Sequence, residues 1–275
     1  MSDVLSHMYE TIDEVHRDKP AATRRQLVAG AGAALGSMGM LAWADQAEAQ
    51  SGGLPTSRRN DAPNTPENIV NVAATAEVLA TILNTLGLER VQLSPLERRE
   101  IQAASFEELL HFRTLVSDAV GATPATKRIW IPDAYLASHD GFFTALAVGD
   151  QVFVNAYLLA GTVFARAGGL SGSRFARFAA EFMGAEAVHR GVALRALGGI
   201  ANDRAFMKFT QREPRPGLPT TGEPGFSKIT GAVEQLQSAG FGFGQPGSMA
   251  GQFYDFDEVS KRTPEPGFVN TRSLA

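Results

Sequence analysis

Two long stretches of this chain, residues 68–88 and 141–165, each hold a single charged side chain, Glu77 in the first and Asp150 in the second. A helix that is apolar around most of its circumference is buried on most sides. An ionised carboxylate in the middle of such a helix is very unfavourable unless it is protonated, paired or bound to a cation. The chain must therefore fold so that other segments bring a partner to each of these two acids.

The partners are legible. Glu108-Leu109-Leu110-His111 and Glu186-Ala187-Val188-His189 both set Glu and His three residues apart, which puts each pair on one helical face. Of the five histidines, only His111, His139 and His189 follow residue 50, and two of the three complete these pairs. Glu77 precedes Glu108 by 31 residues and Asp150 precedes Glu186 by 36, each about the length of a helical hairpin, so the two halves read as near-repeats. A single Glu-x-x-His is ordinarily a solvated pair. Two of them, in order with two lone buried acids, match the dinuclear carboxylate arrangement of ferritin-like and designed bundles. The expected metal ligands are Glu77, Glu108, His111, Asp150, Glu186 and His189.

Four carboxylates offset two divalent ions, and two neutral imidazoles complete the set. With no cysteine in the chain, there is no thiolate ligand, iron–sulfur cluster or disulfide. An oxygen-rich set with two imidazoles suits two iron ions, or alternatively two manganese ions, better than zinc or copper. Tyr157, two turns after Asp150, is a candidate hydrogen-bond or redox partner of the metals, with a plain core tyrosine as the alternative. Glu107, Glu181 and Arg190 are read as solvated or standing behind the ligands, His139 as a turn or cap residue, and Gly184 as a point of close backbone approach.

Start signals frame the helices. Thr65-Pro66-Glu67 offers a cap, a proline at the first position and an early acid, and Gly87 marks a stop. Ser94-Pro95-Leu96-Glu97 repeats the signal as a capping box, leading towards Gly121. A third helix spans about 142–166, and a fourth runs from after Ser173 to Gly198. Short links join the first to the second and the third to the fourth, whereas residues 121–140 form a long crossover. The fold class expected is all-α, a four-helix bundle of two antiparallel hairpins over residues 65–201, with one crossover as in ferritin-like folds. Aromatic residues make up only 8% of the chain against 44% hydrophobic, which favours close helix packing. Residues 50–64 read as a linker, and 202–275 as a C-terminal extension wrapping the bundle with one short helix near 229–236. The third helix is long enough to span a membrane, but its central Asp150 favours burial in protein.

Residues 1–49 read as an address. Arg24 and Arg25 precede an uncharged Ala/Gly-rich run over 29–43, and then Ala47-Glu48-Ala49. This is the order of a twin-arginine signal peptide cleaved after Ala49, the alternative being an uncleaved anchor. Export through that machinery places the mature chain in the periplasm or outside the cell, with no stable membrane span after cleavage. A net charge of -4, with no basic block after residue 50, gives no footprint for nucleic acid.

Residues 66–200 resemble the ferritin-like domain of bacterial and plant desiccation-related proteins. The resemblance is carried by NIVNVAATAEVLATIL, FEELLHF, GDQVFVNAYLLAG and AEFMGAEAVHRGVALRAL. It implies the bundle and a dinuclear iron or manganese centre, with Asp150 standing where that family usually has glutamate. The function expected is an exported oxidoreductase acting on ferrous iron, oxygen or peroxide in envelope stress protection. In it, Glu108 and Glu186 bridge the metals, His111 and His189 cap one each, and Glu77 and Asp150 are terminal. The partners are a small-molecule oxidant or ferrous iron, and a homo-oligomer is compatible with the pattern. Two alternatives are a manganese catalase-like enzyme and a non-catalytic protein stapled by its metals.

Overall fold

Thr65 accepts a hydrogen bond from the Asn68 amide at 3.1 Å, and Pro66 follows at the first helical position, opening helix α1 (Pro66–Arg90). In the computed structural model, which describes residues 63–202 and 228–268, this helix runs past Gly87. The signal-like segment 1–49 and the linker up to residue 62 lie outside the described residues, as do 203–227 and 269–275. Helix α2 (Pro95–Leu115) starts on a reciprocal capping box: Glu97 accepts from the Ser94 amide at 2.8 Å while the Ser94 hydroxyl accepts from the Glu97 amide. Helix α3 (His139–Ala167) is capped by Ser138, and helix α4 (Gly169–Ala196) follows after one residue. Gly168 and Gly169 take φ of +77° and +67°, which lets the chain reverse there. For that reason α4 begins earlier than the Ser173 start expected from composition.

Helix α1 packs along α2 and α3 along α4, while α1 also meets α3 and α2 meets α4. The core between them includes Leu79, Ile82 and Leu86 of α1, Ile101 of α2, and Phe142 and Phe143 of α3. By length and composition α1 and α3 could each cross a membrane, but 83% and 67% of their apolar windows are buried inside the protein.

The described residues are mostly helical, consistent with the expected all-α bundle, and they also carry a small sheet that was not expected. Residues Arg128–Pro132 of the crossover form strand β1, and the tail supplies β2 (Gly242–Phe243) and β3 (Gly251–Asp255). The order is β2-β1-β3, antiparallel on both sides, with Ile129 opposite Phe243 and Tyr254. Ile129 and Ile131 are fully buried while Arg128 is exposed, an alternation that makes a half-buried strand. The tail also forms helix α5 (Thr230–Ser238) and a turn of helix α6 (Phe256–Val259). It is fastened by the Thr85–Thr263 hydroxyl pair at 2.8 Å, and by the Tyr135 hydroxyl donating to the Ala239 carbonyl at 2.5 Å.

Gly87 serves packing rather than termination. A β-carbon there would collide with the ring of Phe142, which is fully buried. Replacing a mid-helix glycine by alanine normally gains about 1 kcal/mol, but overpacking reverses the sign. Gly87→Ala is expected to destabilise by about 1–3 kcal/mol, lowering the melting midpoint by about 2–4 °C for each kcal/mol. An unchanged or higher midpoint by calorimetry would contradict the packing of Phe142 against Gly87.

Candidate metal centre

Each long helix delivers its acid to one interior region. Glu77, Glu108 and Glu186 are wholly buried, Asp150 is 3% exposed and His189 is 8% exposed. One ligand atom from each of Glu77, Glu108, His111 and Glu186 lies within 4.8 Å of the others, so this group could hold a metal ion. His111 Nδ1 stands 3.5 Å from Glu77 Oε2, 3.5 Å from Glu108 Oε2 and 3.6 Å from Glu186 Oε1. On the other side, His189 Nδ1 stands 3.0 Å from Glu108 Oε1 and 3.7 Å from Glu186 Oε2. Both glutamates of the Glu-x-x-His pairs therefore present one oxygen to each imidazole.

These atoms approach without the angles of hydrogen bonds. Glu77 Oε2, both oxygens of Glu108 and of Glu186, Asp150 Oδ2, and Nδ1 of both histidines are buried and have no hydrogen-bond partner among the described residues. Buried polar atoms are ordinarily satisfied, and a converging set that is not calls for a cation. The donor set fits one: oxygen and imidazole nitrogen, all inward. Asp150 stands on the His189 side, where the two line a gap of about 10 Å³ together with Asn84 and Glu100.

Electrostatics in the absence of a cation follow from crowding. Burial pushes the carboxyls of Glu77 and Asp150 well above the usual range, against the pull of His111 on the first and of His189 and Arg190 on the second. Glu108 is opposite: burial opposes its charge, but His189 and His111 outweigh that and hold it well below the usual range. For the imidazoles, burial favours the neutral form, yet the acids prevail. Glu77 chiefly raises His111, and Glu108 chiefly raises His189, both well above the ordinary histidine value. Protons on the histidines thus take the role a metal would otherwise fill.

Several supporting residues are clear only in three dimensions. Glu107 accepts from His189 Nε2 at 2.8 Å, which orients the ring so that Nδ1 faces inward. Phe182 stacks on His111 at 4.0 Å and meets Tyr157 edge-on at 5.5 Å. The Tyr157 hydroxyl donates to Glu77 Oε1, and burial together with the Glu77 charge raises its pKa well above that of a free phenol. Thr81 is wholly buried and its hydroxyl has no hydrogen-bond partner among the described residues. Spacing carried a signal for both new residues, since Phe182 is four before Glu186 and Thr81 four after Glu77, hence on the same faces. Arg190 is buried, whereas Glu181 is exposed and pairs with Arg177 at 3.0 Å. His139 opens α3 and contacts Glu97 at 3.1 Å and Asp140 at 2.9 Å, away from the cluster. Gly184 has open space where its β-carbon would lie, so no backbone approaches there and that expectation is overturned.

No family model, curated protein or solved structure matches this chain. Fold and site alone define its class: a mostly helical protein with a buried glutamate–histidine cluster that could hold a metal ion.

Proposed function

We propose that the chain is an exported dinuclear metal protein of the ferritin-like type, an oxidoreductase acting on ferrous iron, dioxygen or peroxide in the cell envelope. The observation that carries this reading is that Glu108 and Glu186 each offer one oxygen towards His111 and the other towards His189. Two carboxylates disposed in this way suit two cations side by side. Glu77 and His111 would complete one position, Asp150 and His189 the other. Aspartate, one methylene shorter than glutamate, makes the second position the weaker.

Two iron ions, or two manganese ions, would supply electrons for reducing the oxidant and offset the charge of the four acids. The chain's own residues do the rest. Tyr157 keeps its proton and holds Glu77 through Oε1; Phe182 braces the His111 ring and excludes water; Glu107 fixes His189 through Nε2. Glu107→Gln is expected to weaken metal binding about 10–100-fold while leaving the helical circular dichroism unchanged. Affinity equal to that of the parent in a metal titration would remove Glu107 from this role.

Elemental analysis of the natively exported protein, followed by oxygen and peroxide consumption with two equivalents of ferrous iron, tests the proposal. Consumption no faster than that of free iron sinks the oxidoreductase. Tight stoichiometric metal without turnover supports the non-catalytic staple instead, and native manganese with peroxide turnover supports a catalase-like enzyme. Size-exclusion chromatography reports whether copies assemble.

A further inference from the structure

A cavity of about 90 Å³ lies between α1, α3 and the tail helix α5, and Tyr157 is part of its wall. Among the described residues that line it, only Thr75 and Tyr157 have side chains with polar atoms. Both are engaged. The Thr75 hydroxyl donates to the Asn71 carbonyl and accepts from the Ala125 amide, each at 2.8 Å, and the Tyr157 hydroxyl donates to Glu77. An ordered water needs two to four polar partners, and the described lining side chains offer it none that is not already engaged. Dry apolar cavities of this order take up xenon or a ring the size of benzene.

The space does not end at Tyr157. A second apolar gap of about 30 Å³ shares Ile69, Ala73, Tyr157 and Ala160 with the first and extends to Phe178, which is 37% exposed. An isolated packing flaw destabilises and has no reason to continue towards the surface. On its outer side the larger cavity is bounded by half-buried Val72, Ala76 and Val233.

We propose that this cavity binds a small neutral apolar molecule, between dioxygen and a single aromatic ring in size, held beside Tyr157, whose hydroxyl reaches Glu77 of the glutamate–histidine cluster. The tail helix forms one wall through Ala232, Val233 and Leu236, so the C-terminal extension is part of the binding site. Binding requires no metal, and its failure would leave the metal reading standing.

The test uses the full chain with xenon and benzene as probes. The parent is expected to give a saturable xenon resonance shift, and benzene is expected to raise the melting midpoint by about 2–4 °C. Ala232→Phe, which fills the cavity from the tail, and the milder Val233→Phe, at a half-buried position, are expected to weaken both probes about ten-fold or more. Xenon binding without benzene assigns a dioxygen-sized occupant, and binding of both assigns a small organic ring. The absence of saturable binding of either probe by the parent overturns the proposal, as does undiminished binding in both folded variants.

Discussion

If the centre holds two metal ions as proposed, Glu108→Gln is expected to bind neither equivalent, whereas Asp150→Asn is expected to lose only one. The difference follows from geometry: Glu108 turns Oε2 to His111 and Oε1 to His189, so one substitution spoils both positions. Asp150 lines a small gap together with His189 and not with His111. For Glu108→Gln the loss of affinity should exceed the roughly 10–100-fold typical of residues one shell further out, with oxygen or peroxide consumption falling to that of free iron. The metal-free proteins should also diverge. Glu108 is the acid held in its charged form by both imidazoles, and removing one partner of a buried ion pair costs about 3–5 kcal/mol. Burial and neighbouring acids disfavour the charged form of Asp150, so neutralising it should leave the metal-free midpoint unchanged or higher. Calorimetry and a metal titration on both variants check this. Equal metal loss in the two variants would break the assignment of Glu108 as the shared acid.

Chelation should destabilise the protein increasingly as pH rises. Without metal, His111 and His189 titrate above their unfolded value of 6.5. Their contribution to stability is fully present below 6.5 and is lost as pH rises through the folded values. Raised Glu77 and Asp150 act in the same direction, favouring the fold at low pH. Depressed Glu108 acts oppositely: its contribution exists above its unfolded value of 4.5 and fades as pH falls below it. The metal-free protein is therefore expected to be most stable at about pH 4–5, to weaken above that as Glu77 and Asp150 pass their unfolded values of 4.5 and 3.8, and to weaken further beyond 6.5 as the histidines do. Metal binding releases the histidine protons and strengthens with pH. A metal present at about 1,000 times its dissociation constant adds about 4 kcal/mol, or about 10 °C at the scale of a chain this size. The gap between chelated and loaded midpoints should approach that value at pH 8 and shrink towards pH 5. A gap independent of pH would show that protons and metal do not compete for these side chains.

Much of the cluster was legible because helical spacing is rigid. Glu and His three apart must share a face, and a lone acid in an apolar helix must find a partner. What was not legible depended on how helices rotate against one another. Glu107 neighbours a buried acid in sequence, yet only the approach of α4 brings it to His189 Nε2. The two glycines exchanged roles for the same reason. Gly87 read as a stop and accommodates Phe142, while Gly184 read as a close approach and faces open space. The sheet escaped because β1 is five residues long and its partners come from the far end of the chain. Local alternation in Arg-Ile-Trp-Ile-Pro is weak without them. A short α3–α4 link was expected, but the start of α4 at Gly169 rather than after Ser173 was hidden by glycines whose positive φ no pattern of hydrophobicity reports.

That strand has a kinetic consequence. Ile129 finds Phe243 and Tyr254 only after more than a hundred intervening residues, and closing so long a loop is slow compared with zipping up a helical hairpin. Until the last segment docks, β1 has both edges open, and open strand edges recruit other chains. A chain cut short before residue 242 would keep its four long helices and every member of the glutamate–histidine cluster, yet expose a ready template for aggregation. Solubility would then report the arrival of the C-terminus.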